Sequence, residues 1–225
     1  MREPVKGRTQ AGRRREARAR QTRQRIVDAA LGLFLQRGYT ATTVEAIASR
    51  AGVAPATIYQ AFGSKQAVLA SGLDVTVAGD ATPVAILDRD WVKVAAAEAD
   101  PGRRLAAVVG HACEIAARTA AIKEVMRDAA ATEPAVGDLI EQDNRRRYLT
   151  QQALVDLLVE QRPLRAGVDR RRAVDVFFAL VNSQTYQLLV EHLGWTVAEW
   201  RDWLVQALER ELFGPSTITV RSADG

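Results

Sequence analysis

Thr42, Thr43, Thr57, Tyr59, Gln60 and Lys65 gather hydroxyls, a carboxamide and an ammonium into one short stretch of the chain. Such groups donate and accept hydrogen bonds, and Lys65 adds positive charge. No activated nucleophile stands beside a base here, so the available chemistry is recognition of a polar or anionic surface rather than covalent bond making. Between them, Ala54, Pro55 and Ala56 are small enough to let a backbone approach a partner closely. Elsewhere the reactive side chains are sparse: the histidines are His111 and His192, and Cys113 is the single cysteine. There is no Glu-x-x-His pairing, no zinc-type Cys/His set and no phosphate-cradling glycine loop. A catalytic role, a bound metal and a cofactor are therefore not expected.

The elements that would position these groups are short helices. From Thr22, the residues Ile26, Ala30, Leu33, Phe34 and Arg37 fall on one helical stripe, and Gly38 can end it. Thr42 and Glu45 have capping-box spacing, and Val44, Ile47, Ala48 and Ala51 give a second short helix an apolar face before Gly52. Pro55 suits the first position of a third helix, in which Ile58, Ala61 and Phe62 point inward while Thr57, Tyr59 and Gln60 point outward. Gly63 closes it, and Ser64 can cap a fourth helix running toward Val77. Two short helices joined by a glycine turn, the second with a small polar outer face, are the parts of a helix-turn-helix that reads duplex DNA. On that reading Pro55, Ala56, Thr57 and Gln60 lie nearest the base edges, while Thr42, Thr43, Tyr59 and Lys65 hold phosphates. The residues alone also permit blander roles: helix caps for Thr42 and Thr43, a packing role for Tyr59, a solvated charge for Lys65.

Residues 38–69, GYTATTVEAIASRAGVAPATIYQAFGSKQAVL, closely resemble the DNA-binding domain of the TetR family of bacterial regulators. The likeness lies in the Gly-Tyr, Thr-Val, Ile-Ala, Ala-Gly-Val, Ile-Tyr, Phe and Ser-Lys succession and covers about residues 22–70. It implies the DNA contacts just named. Ala54 stands where the family often has Ser, and Ala61 where it often has His; the first removes a helix cap and the second a phosphate contact. For the rest of the chain the resemblance implies an effector-binding body whose last two helices pair with those of a second subunit.

The remainder of the sequence is compatible with this. Of 225 residues 48% are hydrophobic and 26% charged, ordinary for a folded protein and rich in helix formers. Helical patterns run at about 102–119, 121–131, 134–162, 169–193 and 196–212, with a short helix around Trp91, and no stretch alternates convincingly with strand period. The expected fold class is all-α: an N-terminal three-helix helix-turn-helix DNA-binding domain followed by a helical-bundle effector-binding and dimerisation domain. The expected boundaries are a flexible basic arm at 1–20, the DNA-binding domain at 21–70, the effector and dimerisation domain at 71–214, and a flexible tail at 215–225.

Charge is uneven. Ten arginines and lysines face two glutamates in the first twenty-five residues, so the remaining chain is net acidic although the total is +4. That basic head is either a solvated tail or a further contact to phosphates or an adjacent minor groove. Val174, Phe177, Phe178, Val181, Leu188 and Leu189, and likewise Val197, Trp200, Trp203, Leu204, Ala207 and Leu208, spread around more than one helix side, which asks for a second partner surface and favours a homodimer through the last two helices. His111, Cys113, Asn182 and Tyr186 are the candidate polar groups for a small lipophilic effector, Asn182 and Tyr186 sharing a helix face at i, i+4. No apolar run approaches a membrane span and the N-terminus leads into polar sequence, so no membrane partner and a cytoplasmic setting are expected. With these features the resemblance implies a ligand-responsive repressor on a palindromic operator; the alternative is a sequence-independent architectural DNA-binding protein.

Overall fold

In the computed structural model, which describes residues 10–80 and 84–214, the stripe Ile26, Ala30, Leu33 and Phe34 is buried on helix α1 (Gln10–Arg37). That helix starts earlier than the stripe foretells. The expectation of a flexible arm over 1–20 is corrected for residues 10–20, because Arg, Ala and Gln are good helix formers whether or not they bury surface. The first nine residues and the expected tail at 215–225 lie outside the described residues.

Helices α2 (Val44–Ala51), α3 (Pro55–Phe62) and α4 (Lys65–Ala78) follow as expected. Gly52 takes a left-handed conformation, φ 63°, that places its N–H on Ser49 O and the next N–H on Ala48 O, closing α2 as only a residue without Cβ does freely. Ala54 offers α3 no side-chain cap and Pro55 opens it, while the Ser64 hydroxyl accepts from Ala67 N at 3.1 Å to start α4. At Gly72 a Cβ would meet Leu31 Cδ2 at 2.9 Å, so α1 and α4 cross where one of them has no side chain.

The chain divides into two compact units. The first contains the described residues up to Val75 together with Glu124–Gly137, which adds the buried Met126, Ala129 and Val136. A boundary at 70/71 read from the sequence misses that second segment. The other unit comprises the described residues of Thr76–Lys123 and those from Asp138 onward. It holds α5 (Asp90–Ala97), most of α6 (Pro101–Ala130) and of α7 (Pro134–Val159), then α8 (Arg170–Leu180), α9 (Ser183–Tyr186, continued by a π-helical turn to His192) and α10 (Val197–Leu208, continued likewise to Phe213). Its core joins Leu105, Val109 and Cys113 of α6, Val155 of α7, Phe177 of α8, and Trp200 and Leu204 of α10. No strand occurs among the described residues.

Three expectations change here. The patterns at 102–119 and 121–131 form one helix, and the Thr119 hydroxyl, which could have competed with the backbone, donates to Ile115 O in its own helix at 2.7 Å. An 18-residue window of α6 has mean hydropathy 1.3 and is by length and composition able to cross a membrane, contrary to the expectation that no run comes close; 44% of it is buried within the protein. Conversely, the single helix expected at 169–193 breaks at Val181 and Asn182. Asn182 caps α9: its Oδ1 accepts from Gln184 N at 2.8 Å and Thr185 N at 2.9 Å, and its Nδ2 donates to Ala179 O at 2.7 Å. Arg147 of α7 donates to the carbonyls of Phe178 and Val181, both at 3.2 Å, and Gln151 donates to Val181 O at 3.1 Å. Side chains of a neighbouring helix thus satisfy backbone acceptors that the break sets free.

Candidate nucleic-acid interface

The face that α3 turns outward is built by its burial pattern. Ile58 is fully buried, Thr57, Ala61 and Phe62 are half-buried, and Pro55, Ala56, Tyr59 and Gln60 are exposed. Tyr59 is 52% exposed, so its ring is not a packing element of the head. Because α3 opens with a proline and an alanine, its N-terminal turn carries no bulk that would hold a partner away.

Thr43, not Thr42, caps α2. Its hydroxyl oxygen accepts from Ala46 N at 3.1 Å while the residue stays exposed at the positive end of the helix. Thr42 is buried, 1% exposed, and donates to Gly38 O at 2.8 Å. The capping-box expectation for Thr42 and Glu45 is thereby corrected: Thr42 closes the turn after α1, and the cap falls one residue later. Its hydroxyl faces the interior of the head rather than the surface expected for a phosphate contact.

Lys65 stands at the first position of α4, and its Nζ donates to Tyr39 O and Thr42 O, each at 3.0 Å, while lying 4.0 Å from the centroid of the Tyr39 ring. Two of its three protons are thus used inside the head and one remains. Burial lowers its pKa, and the nearby Glu133 carboxylate opposes that shift. Tyr39 itself is buried against Phe34, ring centroids 5.5 Å apart; burial, aided by Glu133, pushes its hydroxyl up to about 12, and that hydroxyl has no hydrogen-bond partner among the described residues. Nothing in the helical period of the sequence signals the Tyr39 platform, because its partners lie on other elements.

Two further arginines brace this surface. Arg23 donates to Ala61 O and lies over the Phe62 ring at 4.1 Å, and Arg25 donates to the carbonyls of Ala51 and Gly52. Cations at the C-terminal ends of α2 and α3 are favourably placed against the helix dipoles.

The four residues expected to meet an effector are not brought together. His111 stacks on Trp91 at 4.6 Å with Nδ1 3.3 Å from Glu114 Oε2. It lines an open groove of about 550 Å³ with Gly110, Glu114, Arg201 and Gln206, and is the only one of the four to do so. Cys113 is sealed in the core, where burial pushes its thiol up to about 12. Asn182 stands at the start of α9 with its side chain engaged in capping that helix, and Tyr186 packs edge-on against Trp200 at 5.3 Å. Among the described residues no three His, Cys, Asp or Glu side chains gather as a metal-ligand group.

Residues 26–71 match the family pattern described as bacterial regulatory proteins, tetR family. Over 92 residues the chain is 40% identical to the HTH-type transcriptional regulator TtgW of Pseudomonas putida, spanning 39% of this chain and 68% of that protein. It is 40% identical over 92 residues to the regulator SrpR of Pseudomonas putida, of which it covers 43%. Among solved structures, a transcriptional regulator from Saccharomonospora viridis in complex with choline superposes with TM-score 0.62 at 23% identity, covering 85% of this chain and 97% of that one. FadR from Bacillus subtilis in complex with stearoyl-CoA gives TM-score 0.64 at 18% identity, covering 82% and 96%.

Proposed function

The chain belongs to the TetR family of bacterial regulatory proteins, and from that premise we propose that it is a homodimeric repressor that binds a palindromic operator and is released by a small lipophilic effector. The observation that carries the reading is the division of α3, with Ile58 fully buried beneath an outer face of Pro55, Ala56, Tyr59 and Gln60. A short helix seated this firmly and free of bulk at its N-terminal turn suits insertion into a major groove, where Thr57 and Gln60 reach base edges and Thr43 and Tyr59 hold phosphates. The third proton of Lys65 is available to a phosphate as well.

Dimerisation is supported by Leu188, Leu193 and Val197, which are 56%, 61% and 48% exposed on or beside α9 and α10. Trp203, set edge-on to Trp195 at 6.2 Å, adds a large half-exposed ring to the same segments. On a palindromic operator the two copies of α3 in such a dimer would enter major grooves one helical turn, about 34 Å, apart. The choline and stearoyl-CoA complexes of structures sharing this fold support a small-molecule effector for the C-terminal unit. Such a molecule releases the operator only by binding one arrangement of the dimer better than the other. As a regulator of genes the protein acts in the bacterial cytoplasm, without catalysis of its own.

Selection of bound fragments from random and genomic DNA by the purified protein tests this. A short inverted repeat is expected, with loss of enrichment in a Tyr59→Phe, Gln60→Ala variant. Recovery of fragments with no shared sequence by folded, dimeric protein would instead favour a sequence-independent architectural role.

A further inference from the structure

Helix α1 begins well before the apolar stripe that anchors it, and its early turns carry charge. Arg14, Arg15, Arg18 and Arg20 are exposed, and none of their side chains forms a hydrogen bond or ion pair with another described residue. Arg23 and Arg25 behave differently, seating on backbone carbonyls at the C-terminal ends of α3 and α2. Those two fasten α1 beside the reading helix; the arginines before them have no such acceptors. They crowd toward the positive end of the α1 dipole, and Glu16 is the one carboxylate among them, so residues 10–20 remain strongly basic. The packing of the head makes no use of this charge, whereas a polyanion alongside would be complementary to it.

The spacing is also directional. At about 100° per residue, Arg14, Arg18 and Arg25 fall within roughly 40° of one another around the helix. Arg14 and Arg18 therefore continue, along α1, the line on which Arg25 meets the α2–α3 turn.

We propose that the N-terminal extension of α1 is a second DNA-contacting element: a preformed basic helix that lies along the phosphates of the duplex flanking the site read by α3. It rests on the reading of α3 given above. Residues 10–20 extend about 16 Å at the helical rise, roughly five base pairs at 3.4 Å each. Phosphates carry no sequence information directly, so the extension adds affinity and salt dependence while leaving base preference to α3.

The test replaces Arg14, Arg15, Arg18 and Arg20 together by glutamine, and in a second variant by lysine. Arg, Gln and Lys have similar helix propensities, so both variants keep α1 helical, which far-UV circular dichroism verifies. Affinity is measured against salt concentration on the selected site with long flanks and on the same site trimmed by about five base pairs at each end. On the long duplex the glutamine variant is expected to bind about tenfold or more weakly near 0.1 M salt, with a log–log salt slope shallower by about 0.9 for each phosphate contact removed. The lysine variant stays close to the unmodified protein, and trimming abolishes the difference.

Equal affinity and slope for the glutamine variant and the unmodified protein would overturn the proposal. So would a loss shared by the lysine variant, because phosphates accept either cation, or a loss that persists on trimmed DNA. Failure of the unmodified protein to prefer its selected site over a scrambled one would instead count against the reading of α3. The salt comparison on scrambled duplex would still decide the role of α1, since phosphate contacts do not depend on sequence.

Discussion

The ammonium of Lys65 lies 4.0 Å from the centroid of the Tyr39 ring and donates to the Tyr39 carbonyl at 3.0 Å. The same ammonium holds Thr42 O, so the first residue of α4 ties down the turn that leads from α1 into α2. A residue placed by family likeness at the DNA surface is thus also a brace for the elements that present that surface.

Tyr39→Phe should leave stability unchanged or slightly higher, because it deletes a buried hydroxyl without a partner while keeping the ring under Lys65. Tyr39→Leu should cost about 1–3 kcal/mol through loss of the cation–π contact, of the packing on Phe34 and of fit in the core. Urea unfolding of the three proteins checks both, and a large loss in the phenylalanine variant would show that the hydroxyl has a role the packing does not reveal.

Thr43→Ala should destabilise the head by about 0.5–2 kcal/mol as the cap of α2 is lost, and should weaken DNA binding further than its stability change explains. Thr42→Ser, which keeps the hydroxyl bonded to Gly38 O, should leave DNA affinity near that of the unmodified protein. Comparing thermal melts with operator affinities separates the two; equal losses of affinity at both positions would contradict the placement of Thr42 in the interior.

Asn182→Ala removes three side-chain hydrogen bonds at the break between α8 and α9 and should cost about 1–2 kcal/mol. Operator binding by the folded fraction, and its response to any effector, should persist. A variant of full stability whose effector response alone disappears would return Asn182 to the ligand site.

Stability should fall as pH rises from about 9 toward 12. Burial raises Cys113 and Tyr39 to about 12 from ordinary values of 9.0 and 10.0, so over that interval the unfolded chain loses protons that the folded one keeps. Each group contributes a slope of up to about 1.4 kcal/mol per pH unit. Lys65, lowered by burial, acts in the opposite sense just below its ordinary value, because there the unfolded chain binds the extra proton. Urea midpoints across this range, compared with those of Cys113→Ala, give the check: the variant should show the shallower decline, and an identical slope would contradict it.

The head is legible in the sequence because its punctuation is local. Gly38, Gly52, Pro55, Gly63 and Ser64 act on residues within one turn of themselves, and the buried stripe on α1 repeats at helical spacing. The cap of α2 slips by one residue since two adjacent threonines compete for it, and only the Thr42 bond to Gly38 O decides between them. The break before α9 is not legible at all. Val174, Phe177, Phe178 and Val181 continue a helical pattern through it, and the groups that stabilise the broken backbone, Arg147 and Gln151, belong to a different helix. The basic segment at 10–20 reads as an arm from its lack of apolar side chains, whereas its helix propensity points the other way. Polarity within apolar patterns is what groups His111, Cys113, Asn182 and Tyr186. Such patterns do not distinguish a residue aimed into a pocket from one that caps a helix or fills a core.

The central claim is that the exposed face of α3 reads base sequence. Its most direct test is the affinity ratio between the selected inverted repeat and a scrambled duplex at one fixed salt concentration, for the unmodified protein and for Tyr59→Phe, Gln60→Ala. The account predicts a ratio of about 10³ or more for the unmodified protein that falls about tenfold or more in the variant, because Gln60→Ala removes a base contact, while Tyr59→Phe weakens binding to both duplexes alike through its phosphate contact. A ratio near one in the unmodified protein, or a large ratio untouched by the substitutions, would contradict it.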